Sequence, residues 1–99
     1  MKCINLDISK PLKLIGGKWK IAIIYLLSSG PRRFGEIKKA LTPITQQMLT
    51  KQLREMEKDN LINRKVYDVV PPKVVYSLTN FGNSFEPVLN ALCKWNYKK

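Results

Sequence analysis

Residues 44–78 read ITQQMLTKQLREMEKDNLINRKVYDVVPPKVVYSL, and the order of features along them decides the fold. Leu49, Leu53 and Met56 recur at helical spacing, with Met48 beside them, so they form the core side of a helix spanning about 45–59. Thr45 is a good N-cap for that helix. Gln46, Gln47, Thr50, Lys51, Arg54 and Lys58 fall on its outer side. Beyond Asn60-Leu61 the chain changes to INRKVYDVV, then Pro71-Pro72, then a segment in which Val74, Tyr76 and Leu78 share one face by strand alternation. Prolines donate no ladder hydrogen bond, so the pair belongs at a hairpin tip. Residues 62–78 therefore predict an antiparallel hairpin, made cationic by Arg64, Lys65 and Lys73.

The segments on either side extend the pattern. Upstream, GEIKKAL over 35–41 predicts a short helix, which Thr42-Pro43 breaks because proline disfavours α geometry at the residue before it. Two helices separated by a tight break read as a helix-turn-helix. Arg32-Arg33-Phe34 suits a short extended segment after the turn Ser28-Ser29-Gly30-Pro31. Residues 18–28 are apolar nearly all round, which marks a buried central helix. A first helix is capped by Ser9, tolerates Pro11, contributes Leu12 and Ile15, and ends at Gly16-Gly17. Downstream, Thr79 caps a terminal helix over about 79–97, with Phe81, Phe85, Val88, Leu92 and Trp95 in one stripe. Pro87 should kink or split it. The stripe is longer than one small core needs, and its remainder suits a second subunit. The whole is one domain over 1–99, α+β and mainly α: a winged helix-turn-helix with a two- to three-stranded antiparallel wing.

Composition names the partner class. Eighteen Lys and Arg against seven Asp and Glu give a net charge of +11, and the pI is about 9.9. That excess favours a polyanion. The cations are spread over several elements rather than massed on one amphipathic helix, which argues against a membrane surface. No apolar run approaches the ~20 residues of a membrane span, and the first residues have no signal-peptide pattern, so the expected location is the cytoplasm. The chain has no His and only two Cys, Cys3 and Cys93. Those counts exclude His acid–base chemistry, a disulfide framework and the usual zinc sets. No cofactor and no metal are expected, and an enzyme is not.

Double-stranded DNA is the polyanion the helix and hairpin fit. Gln46, Gln47, Thr50 and Lys51 are placed to approach base edges, Gln suiting adenine and Lys suiting guanine. Arg54, Arg64, Lys65 and Lys73 are assigned to phosphates or the minor groove, Arg32 and Arg33 to neighbouring backbone, and Thr45 belongs to the same DNA-contacting set. A solvated amphipathic helix and a lysine-protected hairpin would carry similar residues; the two in succession favour DNA.

Four segments carry a resemblance: LIGGKWKIAIIYLL (14–27), SGPRRFGEIKKAL (29–41), ITQQMLTKQLREMEKDNLINRKVY (44–67) and VPPKVVYSLTNFGNSFEPVLNALCKW (70–95). Together they resemble the HxlR-type winged-helix transcription regulators over roughly residues 11–96. The resemblance implies a cytoplasmic, sequence-specific homodimer on a pseudo-palindromic operator. It also implies N-terminal and terminal helices that build the dimer, here through Leu12, Ile15, Phe85, Leu89, Leu92 and Trp95. Several members carry a reactive cysteine, usually followed by Pro, about ten residues before the Gly-Gly pair. Here Leu6 holds that position, and Cys3 is followed by Ile4. Redox sensing through Cys3 is the alternative to an inert thiol, and Cys93 is expected to be packed. The other alternative is an architectural or protein-interaction winged helix without sequence choice.

Overall fold

The computed structural model describes residues 9–97. The elements run α1 (Ser9–Ile15), α2 (Lys20–Leu27), β1 (Arg32–Arg33), α3 (Phe34–Ala40), α4 (Gln46–Lys58), β2 (Ile62–Tyr67), β3 (Lys73–Leu78), α5 (Asn80–Asn83) and α6 (Glu86–Tyr97). β1, β3 and β2 form one antiparallel sheet with β3 in the middle. The expected wing is thus three-stranded, Arg32-Arg33 supplying the third strand.

Each boundary has a local cause. The backbone N–H of Arg33 donates to the Glu36 carboxylate (2.8 Å), which starts α3 one residue earlier than the apolar spacing implied. At the other end of α3 the Thr42 hydroxyl donates to the Lys38 and Lys39 carbonyls. The hydroxyl of Thr45 accepts from Met48 N–H (3.1 Å) and caps α4. α4 closes with Asn60 in the left-handed region (φ 62°). There Asn60 N–H donates to the Glu57 carbonyl and Leu61 N–H to the Met56 carbonyl, the two bonds of a Schellman ending. Pro87 splits the terminal helix as expected: α5 stops at Asn83, and Pro87 occupies the first turn of α6, where a missing N–H costs nothing.

The core gathers Ile23, Ile24 and Leu27 of α2, Ile37 of α3, Ile44 of the turn that follows, Leu49, Leu53 and Met56 of α4, then Leu61, Ile62, Tyr76 and Leu89. Two expectations are corrected. Met48 is exposed rather than in the core, since it sits about 100° round the helix from Leu49; its sulfur accepts from Gln52 Nε2 on the outer surface. α2 starts at Lys20, and it is central without being buried all round, because Tyr25 is 60% exposed.

One ion pair ties the central helix to α4. Lys20 Nζ lies 2.8 Å from Glu55 Oε1, and the Lys20 side chain is only 9% exposed. An ammonium with so little water needs a partner, and Glu55 supplies it. The hydrogen bond and charge of Lys20, with help from Lys51, hold the Glu55 carboxyl below its ordinary range.

A second tie lies where α4 meets the sheet. Leu61 O accepts from Thr79 N–H (3.1 Å), while the Thr79 hydroxyl contacts the Asn60 and Leu61 carbonyls and accepts from Gly82 N–H (2.9 Å). Gly82 is buried against this junction: a β-carbon there would lie 2.2 Å from Leu61 O. Gly82→Ala should therefore lower stability by about 1–3 kcal/mol or more, since the obstructing atom is backbone and cannot swing aside; chemical denaturation measures it.

The Glu55 carboxyl titrates lower in the folded chain than in the unfolded one. Its contribution is present above the unfolded value and is lost as pH falls through the folded value. Glu55→Gln should lower the thermal midpoint at neutral pH. The gap from the parent should close on acidification below the usual carboxylate range, which melting curves across that range would show.

Candidate nucleic-acid interface

The outer face of α4 holds Gln46, Gln47, Lys51 and Arg54, all exposed, with Thr50 half-buried. Together with Glu55 they line one open groove along the helix. Helix periodicity brings them together, and the buried stripe Leu49, Leu53 and Met56 on the opposite side fixes their direction. Thr45 stands at the helix start as its cap.

Beside that groove runs a polar cleft between α4 and the sheet, lined by Phe34, Thr50, Arg54, Glu57, Arg64 and Tyr76. Sheet register places Arg64 there. It pairs with Tyr76, whose side is the core side of the sheet, so Arg64 reaches toward α4. Lys65 is the next residue and therefore points to the opposite face. It shares that face with Tyr67, with Lys73, which pairs with Tyr67, and with Arg33, which pairs with Val75 across from Lys65. The hairpin cations, grouped together by sequence, thus divide between two faces. Lys65 Nζ and Lys73 Nζ lie 5.1 and 4.8 Å from the Tyr67 ring centroid, within cation–π range.

Arg32 falls outside this arrangement. Its guanidinium donates to Ser29 Oγ (2.8 Å) and the Pro31 carbonyl (3.0 Å), so it closes the turn between α2 and β1. Arg33 is exposed.

Residues expected at a subunit interface also divide. Leu12 (54%), Leu92 (37%) and Trp95 (76%) are exposed. Ile15 and Phe85 are half-buried against the chain's own core. Leu89 is corrected: at 6% exposure it is α6's contribution to that core, because the split at Pro87 turns this position inward. Cys93 is also corrected: it is exposed, at the edge of an apolar groove between α2 and α6 lined by Ile21, Ala22, Tyr25, Leu89 and Leu92. Cys3 lies outside the described residues.

Sequence reasoning missed Lys20 and Tyr67. A lysine inside an apolar run such as WKIAIIYLL signals a buried charge that needs an acid. Tyr67 two residues after Lys65, and across a tight tip from Lys73, signals a shared strand face.

No helix among the described residues is long and apolar enough to cross a membrane. The HxlR-like helix-turn-helix family model matches residues 14–99. The HTH-type transcriptional regulator YtcD of Bacillus subtilis (strain 168) is 49% identical over 94 residues, which span 95% of this chain and 75% of that protein. Among solved structures, the redox regulator HypR in its oxidized form superposes with a TM-score of 0.90 at 44% identity, covering 95% of this chain and 97% of that one. The reduced transcriptional regulator YodB from B. subtilis gives 0.81 at 34% identity, covering 96% and 91%. With an exposed polar face on α4, a basic three-stranded wing and a family match over most of its length, the chain belongs to the HxlR-like helix-turn-helix family of transcriptional regulators, which are DNA-binding proteins and not enzymes.

Proposed function

We propose that the chain acts in the cytoplasm as a homodimer that recognises a pseudo-palindromic operator, with α4 as recognition helix and β2–β3 as wing. The observation that carries this reading is the continuity of polar surface from the α4 groove through Thr50 and Arg54 to Arg64 of the wing. In this arrangement Gln46, Gln47, Thr50 and Lys51 meet base edges in the major groove. Arg54 and Arg64 hold the phosphate backbone passing between helix and wing. Glu55 faces the same groove, and its pairing with Lys20 offsets a charge that would repel phosphate.

Dimerisation is supported by the exposed apolar side chains at the two ends of the described chain, Leu12 of α1 with Val88, Leu92 and Trp95 of α6. Two-fold pairing sets the half-sites about one helical turn apart, ~34 Å. Sedimentation equilibrium tests the dimer, and the Trp95→Ser variant should shift it toward monomer.

Roles within the DNA surface separate by mutation. Gln47→Ala should change the preferred sequence. Lys73→Ala should weaken all sequences alike and reduce the salt slope by about one. Binding titrations on a selected duplex and a random one, over a salt series, read both; a change of base preference in the lysine variant contradicts the wing assignment. A specificity ratio of ~10³ or more separates this reading from an architectural binder.

A thiol-sensing version has one specific support, the likeness to HypR, a protein named as a redox regulator. Diamide should then weaken DNA binding by the parent chain and leave Cys3→Ser unaffected. Loss of binding in both would reject Cys3 as the sensor.

A further inference from the structure

Glu55 is the one acid along the outer groove of α4. A carboxylate set against a polyanion is repelled, and like charges facing across an interface weaken it severely. Lys20 removes that obstacle. Its ammonium reaches Glu55 Oε1 from α2 (2.8 Å) with almost no access to water, while the Glu55 side chain is 41% exposed. The pair joins a buried cation to an acid that still faces outward.

The pair holds α2 to α4, but holding alone does not account for it. A buried ammonium loses its hydration, and apolar side chains often secure such a contact equally well. Lys20 is also the first residue of α2, the end at which the helix dipole disfavours a cation. The groove supplies the missing reason for an acid at this position.

The groove side chains differ in what they can do. Lys51 and Arg54 only donate, Gln46, Gln47 and Thr50 donate and accept, and an ionised Glu55 only accepts. The hydrogen bond and charge of Lys20 keep the carboxyl ionised. Among the described residues Lys20 alone donates to it, on one oxygen, so the other oxygen can accept from a partner in the groove. On the base edges of the major groove only the amino groups of cytosine and adenine donate, and a carboxylate suits cytosine N4. Lys51 stands four residues before Glu55, a neighbour on the helix surface. A G·C pair presents guanine acceptors beside the cytosine donor. A donor-only and an acceptor-only side chain one turn apart complement that pattern.

We propose that Glu55 determines specificity by accepting from a cytosine N4 amino group in the major groove, with buried Lys20 as its positioning residue and Lys51 donating to a guanine beside it. This rests on the DNA-binding reading above and adds an acid to the residues that read bases. Lys20 does not touch DNA in this arrangement. It supplies the charge that lets Glu55 approach.

The full chain is assayed on a duplex that the parent protein selects from a randomised pool, with N4-methylcytosine replacing each cytosine in turn. That base keeps its Watson–Crick pair and puts a methyl group where an amino N–H faced the major groove. At one cytosine per half-site the parent should lose affinity roughly fivefold or more, the loss of one base contact. Glu55→Ala should lose nothing on methylation there. Lys20→Met/Glu55→Ala should be equally indifferent, and it leaves no buried ammonium without a partner, so it serves where the single variant does not fold. Lys20→Met alone should bind all duplexes more weakly. Adding Glu55→Gln should restore binding, because the amide is uncharged and still accepts. A purely structural pair would move the melting temperature and leave the response to methylation unchanged.

A parent that is indifferent to methylation at every cytosine overturns the proposal, as does an equal loss in the parent and the Glu55→Ala variants. A Lys20→Met/Glu55→Gln variant that stays as weak as Lys20→Met overturns the role of Lys20. A parent chain that selects no duplex at low salt overturns the DNA-binding reading as well, an outcome distinct from the others.

Discussion

The carbonyl of Leu61 is where α4, the wing and α5 are joined. It accepts from Thr79 N–H, it faces the Thr79 hydroxyl, and Gly82 is packed directly on it. Leu61 itself is 3% exposed and ends α4 through its N–H bond to Met56. A buried backbone hydrogen bond contributes only about 1 kcal/mol net, but leaving one of its groups unpaired costs 1–3 kcal/mol. Several such groups meet within a few residues here. Opening the junction would strand all of them, so the end of α4, the start of β2 and the end of β3 keep one relation. In the proposed DNA-binding arrangement, α4 and the wing meet one duplex and need that fixed relation.

Register does the rest of the positioning. Ile62 pairs with Leu78 at the junction and Tyr67 with Lys73 at the tip, with no slip between. Side chains alternate at every step, so anchoring Ile62 in the core decides that Arg64 faces α4 and Lys65 faces away. A one-residue slip would exchange their faces and bring Ile62 out of the core. The burial of a few apolar side chains at the base of the hairpin thus controls where charge stands at its far end. The Lys20–Glu55 pair performs the matching task for α4 from the opposite side of the helix base, fixing it against α2.

What could be read from the sequence follows the range of the cause. Thr45, the stripe Leu49–Leu53–Met56, Pro71-Pro72 and Pro87 act within a turn or two of their own positions, and the elements they imply are present. Arg32-Arg33 as an extended segment was legible for the same reason. Features set by partners far along the chain were not. Met48 adjoins the apolar stripe in sequence, and its place about 100° round the helix from Leu49 becomes decisive only once the stripe's direction is fixed by packing. Leu89 lies inside because α6 packs it beside Ile21, Ala22 and Tyr25 of α2. Arg32 was expected near the DNA backbone by its charge, and its hydrogen bonds to Ser29 and Pro31 were not legible. Of the candidate DNA surface, the α4 face was legible residue by residue. The division of the wing cations was implicit in strand alternation, but needed the Ile62–Leu78 register to become definite.

The Leu61 junction also meets the N-terminal helix. An apolar groove between α1 and α5 is lined by Pro11, Leu14 and Ile15 on one side and by Phe81 and Phe85 on the other, with Leu61 at its base. α1 buries none of its residues fully, and its apolar side leans on this groove. The part of the fold with the least core of its own therefore rests on the residue that fixes helix to wing. α6 is similar, since Leu89 is its one described core residue while Val88, Leu92 and Trp95 stay exposed. Elements with few buried contacts open at low cost in free energy. α1 and the Leu61 junction thus line one apolar groove.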